Sequence, residues 1–211
     1  MRRRKMKIKL SLNRLFTLIV GLMLYLGFSV LLPSCSRKPY YPKQRSYYRI
    51  DVPDHDYDTF KLNAPFTCQI SRYAKMKTVH DSFEPKFDTW YDINYPQWKG
   101  SIHLSYKNIK PEDFREISEE SRTLVYKHTV RADAIQETYF VNDKEKVYGI
   151  FYEMKGPAAS QAQFFLTDSL HHALRGSLYF QAIPNADSIA PIAEYIEEDM
   201  KHLMETLTWN K

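Results

Sequence analysis

Leu15 to Cys35, LFTLIVGLMLYLGFSVLLPSC, divides this chain into a leader and a body before any other residue is read. Seven basic residues precede it (Arg2, Arg3, Arg4, Lys5, Lys7, Lys9, Arg14), with no acid before Cys35. Eighteen mostly apolar residues follow, and the run closes on Leu32-Pro33-Ser34-Cys35. A charged start, an apolar middle and a small residue at the cut site are the marks of a bacterial export signal. Leu32 and Ser34, three residues and one residue before Cys35, read as a lipobox, with Cys35 as the lipid-bearing N-terminus. Eighteen residues are only just enough to span a bilayer, so a retained helix is the competing reading. The cysteine at the apolar boundary favours cleavage. Each buried methylene contributes about 0.8 kcal/mol, and more than one acyl chain makes anchoring stable.

This reading assigns residues 1–34 to the signal peptide, 35–46 to a lipidated tether and 47–211 to one globular domain. The charge balance changes accordingly. The whole chain carries +5, seven positive charges precede Cys35, and the chain from Cys35 onward is therefore −2. Four more basic residues (Arg37, Lys38, Lys43, Arg45) leave residues 47–211 at −6. A mildly acidic domain lacks the phosphate-neutralising surface that nucleic-acid binding requires. With Cys35 lipidated, Cys68 has no partner for an intrachain disulfide. Between Phe66 and Ile70 it reads as a core thiol.

Residues 36–46, SRKPYYPKQRS, hold two prolines and no aliphatic side chain, which predicts an extended tether. Tyr47 to Val52 alternates as a strand. Asp54-His55-Asp56-Tyr57-Asp58 opens like a calcium loop, but Thr59 stands where glycine is needed and Pro65 where glutamate is needed, so a solvated turn is expected. Period-two apolar spacing predicts strands over Phe66–Ile70, Ala74–His80, Tyr91–Tyr95 and Gly100–Asn108. Ser82 to Thr89 reads as a loop. Pro111 introduces a helix carrying Phe114, Ile117, Ser121, Leu124, Val125 and His128 on one face. Hairpins follow over Ile135–Val141 with Val147–Lys155, and over Ala162–Thr167 with Leu174–Ala182. A final helix runs from a cap at Ser188 to about Trp209, with Pro191 in its first turn. Its stripe is Ile189, Ile192, Ala193, Ile196, Met200, Leu203 and Leu207, with Glu194, Glu197, Glu198 and Asp199 on the solvated side. The element order predicts an α+β fold: a largely antiparallel β-sheet with two main helices packed on it.

Chemistry is sparse. The four glycines beyond the leader (Gly100, Gly149, Gly156, Gly176) form no phosphate-binding motif. Asp168, Ser169 and His171 are triad residue types crowded into one turn, where a Ser–His–Asp relay cannot readily assemble. His171 and His172 point to opposite faces of a strand, so no metal is expected. No cofactor is expected either, and the domain reads as not an enzyme. The surplus of aromatic residues suits a protein interface. The expected contact surface is the loop Gly156, Pro157, Ala158, Ala159 and Ser160, together with the turn Asp168, Ser169, His171 and His172.

Three segments carry a family resemblance. PKQRSYYRIDVPDHDY resembles the opening of mature gliding-motility lipoproteins of the GldD family. So do VYGIFYEMKGPAASQAQFFLTDS and HHALRGSLYFQAIPNADSIAPIAEYIEEDMKHLMETLTW. The resemblance runs from Cys35 to the C-terminus and is densest over Val147–Trp209. It implies a cell-envelope lipoprotein needed for surface gliding in Bacteroidetes-type bacteria, associated with machinery that includes type IX secretion. It implies no catalytic residues and supports only Cys35 as a functional site. The element order is also similar to the PsbP/Mog1-type fold. Ser36-Arg37-Lys38-Pro39 lacks the acids that follow the lipidated cysteine in surface-exported relatives, which predicts a periplasmic domain. A ligand-binding lipoprotein, with an aromatic pocket between sheet and helix for an envelope glycan or lipid, is the alternative.

Overall fold

The computed structural model describes residues 12–31, 50–60, 64–79, 89–181 and 186–210. The chain forms two units, residues 1–45 and 46–211. The first contains helix α1, Leu12–Leu31. Arg14 interrupts its first turn, and the apolar run beyond it rises only about 25 Å, short of a hydrocarbon core of about 30 Å. No helix among the described residues is long and apolar enough to cross a membrane. Lipobox residues 32–35 and tether residues 36–46 lie outside the described residues.

The second unit has the predicted α+β architecture. Strands β1 (Tyr57–Phe60), β2 (Phe66–Ser71) and β10 (Thr208–Trp209) form one antiparallel sheet, ordered β1-β2-β10. Seven strands form the other: β3 (Lys75–Val79), β4 (Thr89–Tyr95), β5 (Gly100–Asn108), β6 (Ala134–Asn142), β7 (Val147–Lys155), β8 (Ser160–Thr167) and β9 (His172–Phe180). Their spatial order is β3-β4-β5-β9-β8-β7-β6, all antiparallel. β4 buries alternate side chains, whereas the central β8 is buried on both faces.

Helix α3, Ala186–Thr206, covers one face. Ile192, Ile196, Met200, Leu203 and Leu207 meet Ile93, Ile102, Leu104, Phe164, Leu174 and Leu178 from the large sheet, and Phe66, Cys68 and Ile70 from β2. Burial pushes the Cys68 thiol up to about 12, as expected of a core thiol. Helix α2, Phe114–Tyr126, lies on the opposite face, where Phe114 and Ile117 pack with Ile109, Phe165 and Ala173. Gly176 permits a close approach within the sheet: a Cβ there would lie 2.3 Å from the side chain of Phe164, its cross-strand partner.

The N-terminal part of this unit departs from expectation. Residues 50–56 are irregular, and the first strand is Tyr57–Phe60 rather than Tyr47–Val52; residues 47–49 lie outside the described residues. The reason is local pairing. Asp56 and Asp58 both grip Arg72, with contacts of 2.9–3.0 Å, which sets β1 against the end of β2. Pro191 also lies inside α3 rather than in its first turn. The helix ends at Thr206, and Thr208–Trp209 leaves it to pair with β2. Of the expected loop 82–89, residues 82–88 lie outside the described residues, and Thr89 already belongs to β4.

Candidate functional site

The two expected contact segments occupy opposite ends of β8, one strand length apart, so they do not form one surface. Eight residues of strand span about 26 Å. In the first segment, Ala158 and Ser160 are wholly buried, whereas Pro157 and Ala159 are exposed. Ala158 N–H donates to Gly156 O at 2.9 Å, and Gln161 Nε2 donates to Ala158 O at 2.9 Å. Gly156 has φ +93°, and a Cβ there would strike Asp133 at 2.4 Å. Small residues in this loop are set by packing, and only two of the five present side chains to solvent.

In the second segment, Asp168 Oδ1 accepts backbone N–H groups from Leu170, His171 and His172 at 2.8–3.0 Å. Partial burial raises the Asp168 carboxyl, and the N–H groups of His172, Leu170 and His171 outweigh it, leaving the group below its usual range. Ser169 sits at φ +66° with its N–H on Thr167 Oγ1. His172 stacks on Trp209 at 4.9 Å, and its Nδ1 is hydrogen-bonded with the Tyr106 hydroxyl at 2.8 Å. The turn is built as a structural clasp between β9, β5 and β10. Leu170 and His171 stay exposed at its tip.

A different place gathers polar side chains around open space. On the sheet face opposite α3, register aligns Trp90, Ser105 and Arg175 in one rank, and Asp92, His103, Ser177 and Gln163 in the next. The sequence pattern explains it. In β5, Ile102, Leu104 and Tyr106 turn to the core, so His103 and Ser105 turn the other way. In β9, Leu174 and Leu178 do the same to Arg175, Ser177 and Tyr179. The short Ser105 and Ser177 make a floor, and Trp90, His103, Tyr179 and Arg175 rise around it. Leu124, Lys127 and His128, at the end of α2 and in the 3₁₀ turn Lys127–Val130, form the far wall. The resulting cleft holds about 370 Å³, within the usual range for small-molecule sites.

Its side chains are held from beneath. Gln163 is fully buried, accepts from Arg175 Nη2 on Oε1 at 3.2 Å, and directs Nε2 at His128 Nε2 at 3.0 Å. With Oε1 committed to arginine, Nε2 is the donor, so His128 Nε2 accepts and its proton sits on Nδ1. Burial, then the Arg175 charge, lower His128 from its usual value and keep it neutral. Asp92 fixes His103 through Nδ1 at 2.6 Å. His128, which helical spacing places on the apolar face of the first predicted helix, is half-buried and bonded to Gln163. The lining of the cleft is not legible in the sequence, because β5 and β9 are far apart in the chain.

A second cluster also joins distant parts of the chain. Asp199, expected on the solvated side of α3, is buried. It accepts the Tyr95 hydroxyl on Oδ2 at 2.9 Å and meets His55 Nδ1 through Oδ1 at 2.7 Å. His55 Nε2 reaches Glu198 at 3.0 Å, and its ring stacks on Tyr195 at 4.1 Å. The Asp54–Asp58 segment is therefore docked on α3 and β2, not a free turn. Glu197 is buried too. No group of three or more His, Cys, Asp or Glu side chains is placed to hold a metal ion among the described residues.

The family model described as gliding motility lipoprotein GldD matches residues 37–209. The chain belongs to that family. It is therefore a gliding-motility-associated lipoprotein, a membrane-anchored protein of the cell envelope. The matched range takes in the cleft and the Asp199 cluster, so both lie within the family's own domain. No curated protein and no solved structure matches the chain.

Proposed function

We propose that this family member is a non-catalytic accessory lipoprotein, anchored through lipidated Cys35. Its domain, residues 47–211, hangs in the periplasm and works with envelope motility and type IX secretion proteins. The observation that carries this reading is the state of Asp168. Its Oδ1 organises three backbone N–H groups of a turn, and its Oδ2 stays 3.7 Å from Nδ1 of the exposed His171, beyond the hydrogen bond by which a triad acid orients its histidine. The basic Ser36-Arg37-Lys38-Pro39 after the anchor supports a periplasmic rather than surface-exported domain, and the −6 balance of residues 47–211 turns it away from nucleic acids. The partners are then a membrane, through the anchor, and envelope proteins.

Ser169→Ala tests the non-catalytic claim, since it removes a nucleophile's hydroxyl and leaves the turn's backbone bonds in place. Cells carrying it are expected to spread on agar like wild type, while Cys35→Ala cells fail to spread and lose the protein from membrane fractions. Loss of spreading by a folded, membrane-bound Ser169→Ala protein would contradict the reading.

The cleft favours a second reading, in which the lipoprotein binds an envelope glycan or lipid. Aromatic walls and a serine floor between sheet and helix are what that reading needs.

A further inference from the structure

We infer that the cleft between α2 and strands β4, β5 and β9 binds an anionic saccharide, a sugar ring bearing a carboxylate or phosphate. This deepens the ligand-binding reading and rests on it.

Charge is the first argument. Arg175 and Lys127 line the cleft, and none of its described lining residues is acidic, although the surrounding domain is acidic overall. Asp92, the carboxylate beside it, is engaged by His103 at 2.6 Å and approached by Lys77 at 3.7 Å. An arginine fork matches the two oxygens of a carboxylate or phosphate, and such charge-assisted bonds are about twice as strong as neutral ones.

Preorganisation is the second. The fully buried Gln163 bonds Arg175 from below and sets the His128 tautomer, so neither group needs to be ordered when a ligand arrives. The carbonyl end of α2 is partly capped: Thr129 Oγ1 donates to Tyr126 O, and the N–H groups of Arg131 and Ala132 donate to His128 O. That capping blunts the negative end of the helix beside the cleft.

Shape and surface are the third. Trp90 and Tyr179 offer flat apolar faces, while Ser105 and Ser177 offer hydroxyls that both donate and accept. A pyranose ring presents the complement, apolar C–H faces with hydroxyls around its edge. A lipid tail offers neither hydroxyls to those serines nor charge to the guanidinium.

The test is calorimetric titration of the full-length lipoprotein in detergent micelles. The probes are a uronic-acid disaccharide, a hexose phosphate, a neutral glucose disaccharide and inorganic phosphate. The expected result is binding of one anionic sugar at least tenfold tighter than both the neutral disaccharide and inorganic phosphate. Arg175→Gln and Lys127→Gln should each weaken it, the former tenfold or more. Lys127 is exposed at a helix end, so its variant stays informative if Arg175→Gln fails to fold. Equal binding of the neutral disaccharide would overturn the anionic class and leave the ligand-binding reading standing. Equal binding of phosphate alone would overturn recognition of the sugar. No binding of any probe would overturn both readings.

Discussion

The Tyr95 hydroxyl donates to Asp199 Oδ2 across 2.9 Å, tying the end of β4 to the middle of α3 inside the core. The other oxygen of Asp199 faces His55, which brings the first described segment of the domain onto the same helix. Burial, then the Asp199 charge and hydrogen bond, push the Tyr95 phenol well above its usual value. Removing Asp199 leaves a buried tyrosine hydroxyl without its acceptor. Asp199→Ala should therefore lower unfolding free energy by about 2–3 kcal/mol. His55→Ala, at a partly exposed position, should cost about 1 kcal/mol. Urea melts of both and of the double variant check this, and the two effects should not add, because the side chains share one network.

Glu197 gives the domain a pH dependence. Burial raises its carboxyl to about 7, with Lys155 pulling it down, Glu153 raising it, and Lys201 and Glu194 acting more weakly. A carboxyl raised in the folded state favours folding in its protonated form, so its contribution is intact below its unfolded value and lost as pH climbs through about 7. Glu197→Gln mimics the protonated form. It should stabilise the domain at pH 8 by on the order of 1–2 kcal/mol and have little effect at pH 4.5.

Ala158 and Ala159 should respond oppositely to the same substitution. Ala158 is completely buried and Ala159 is exposed. Ala158→Arg should cost at least about 3 kcal/mol, since it buries a charge in a filled space. Ala159→Arg should melt within a few degrees of wild type. Circular dichroism melts distinguish the two.

Leu170 stands 47% exposed at the tip of the Asp168 turn, whose backbone is held without any contribution from its side chain. Leu170→Asp should leave the melting temperature unchanged. If this tip contacts an envelope partner, the variant should reduce spreading on agar, and full spreading at normal protein levels would remove the tip from the contact surface.

Local pattern made most of the fold legible. Gly100–Asn108 and Val147–Lys155 were bounded as the structure has them, because alternation over nine residues leaves little freedom of register. The inward face of α2, Phe114 to Val125, is equally clear, and His128 continues it into the 3₁₀ turn beyond the helix. The illegible parts all depend on distant partners. Tyr195, Asp199, His202 and Thr206 recur at helical spacing beside the apolar stripe, a polar seam that could have been separated from the exposed Glu194 and Glu198. What it docks against, His55 and Tyr57, lies some 140 residues earlier. The cleft is the same case. His103 and Ser105 visibly face away from the core, but only the pairing of β5 with β9 sets Arg175 and Ser177 beside them.

The most direct measurement is in-cell crosslinking and pull-down of the tagged lipoprotein, comparing wild type with Cys35→Ala. The account predicts that the wild-type protein captures a motility or secretion component in stoichiometric amount, and that Cys35→Ala loses it while the domain stays folded. A wild-type protein that is folded, lipidated and membrane-bound yet captures no envelope partner would contradict the accessory role.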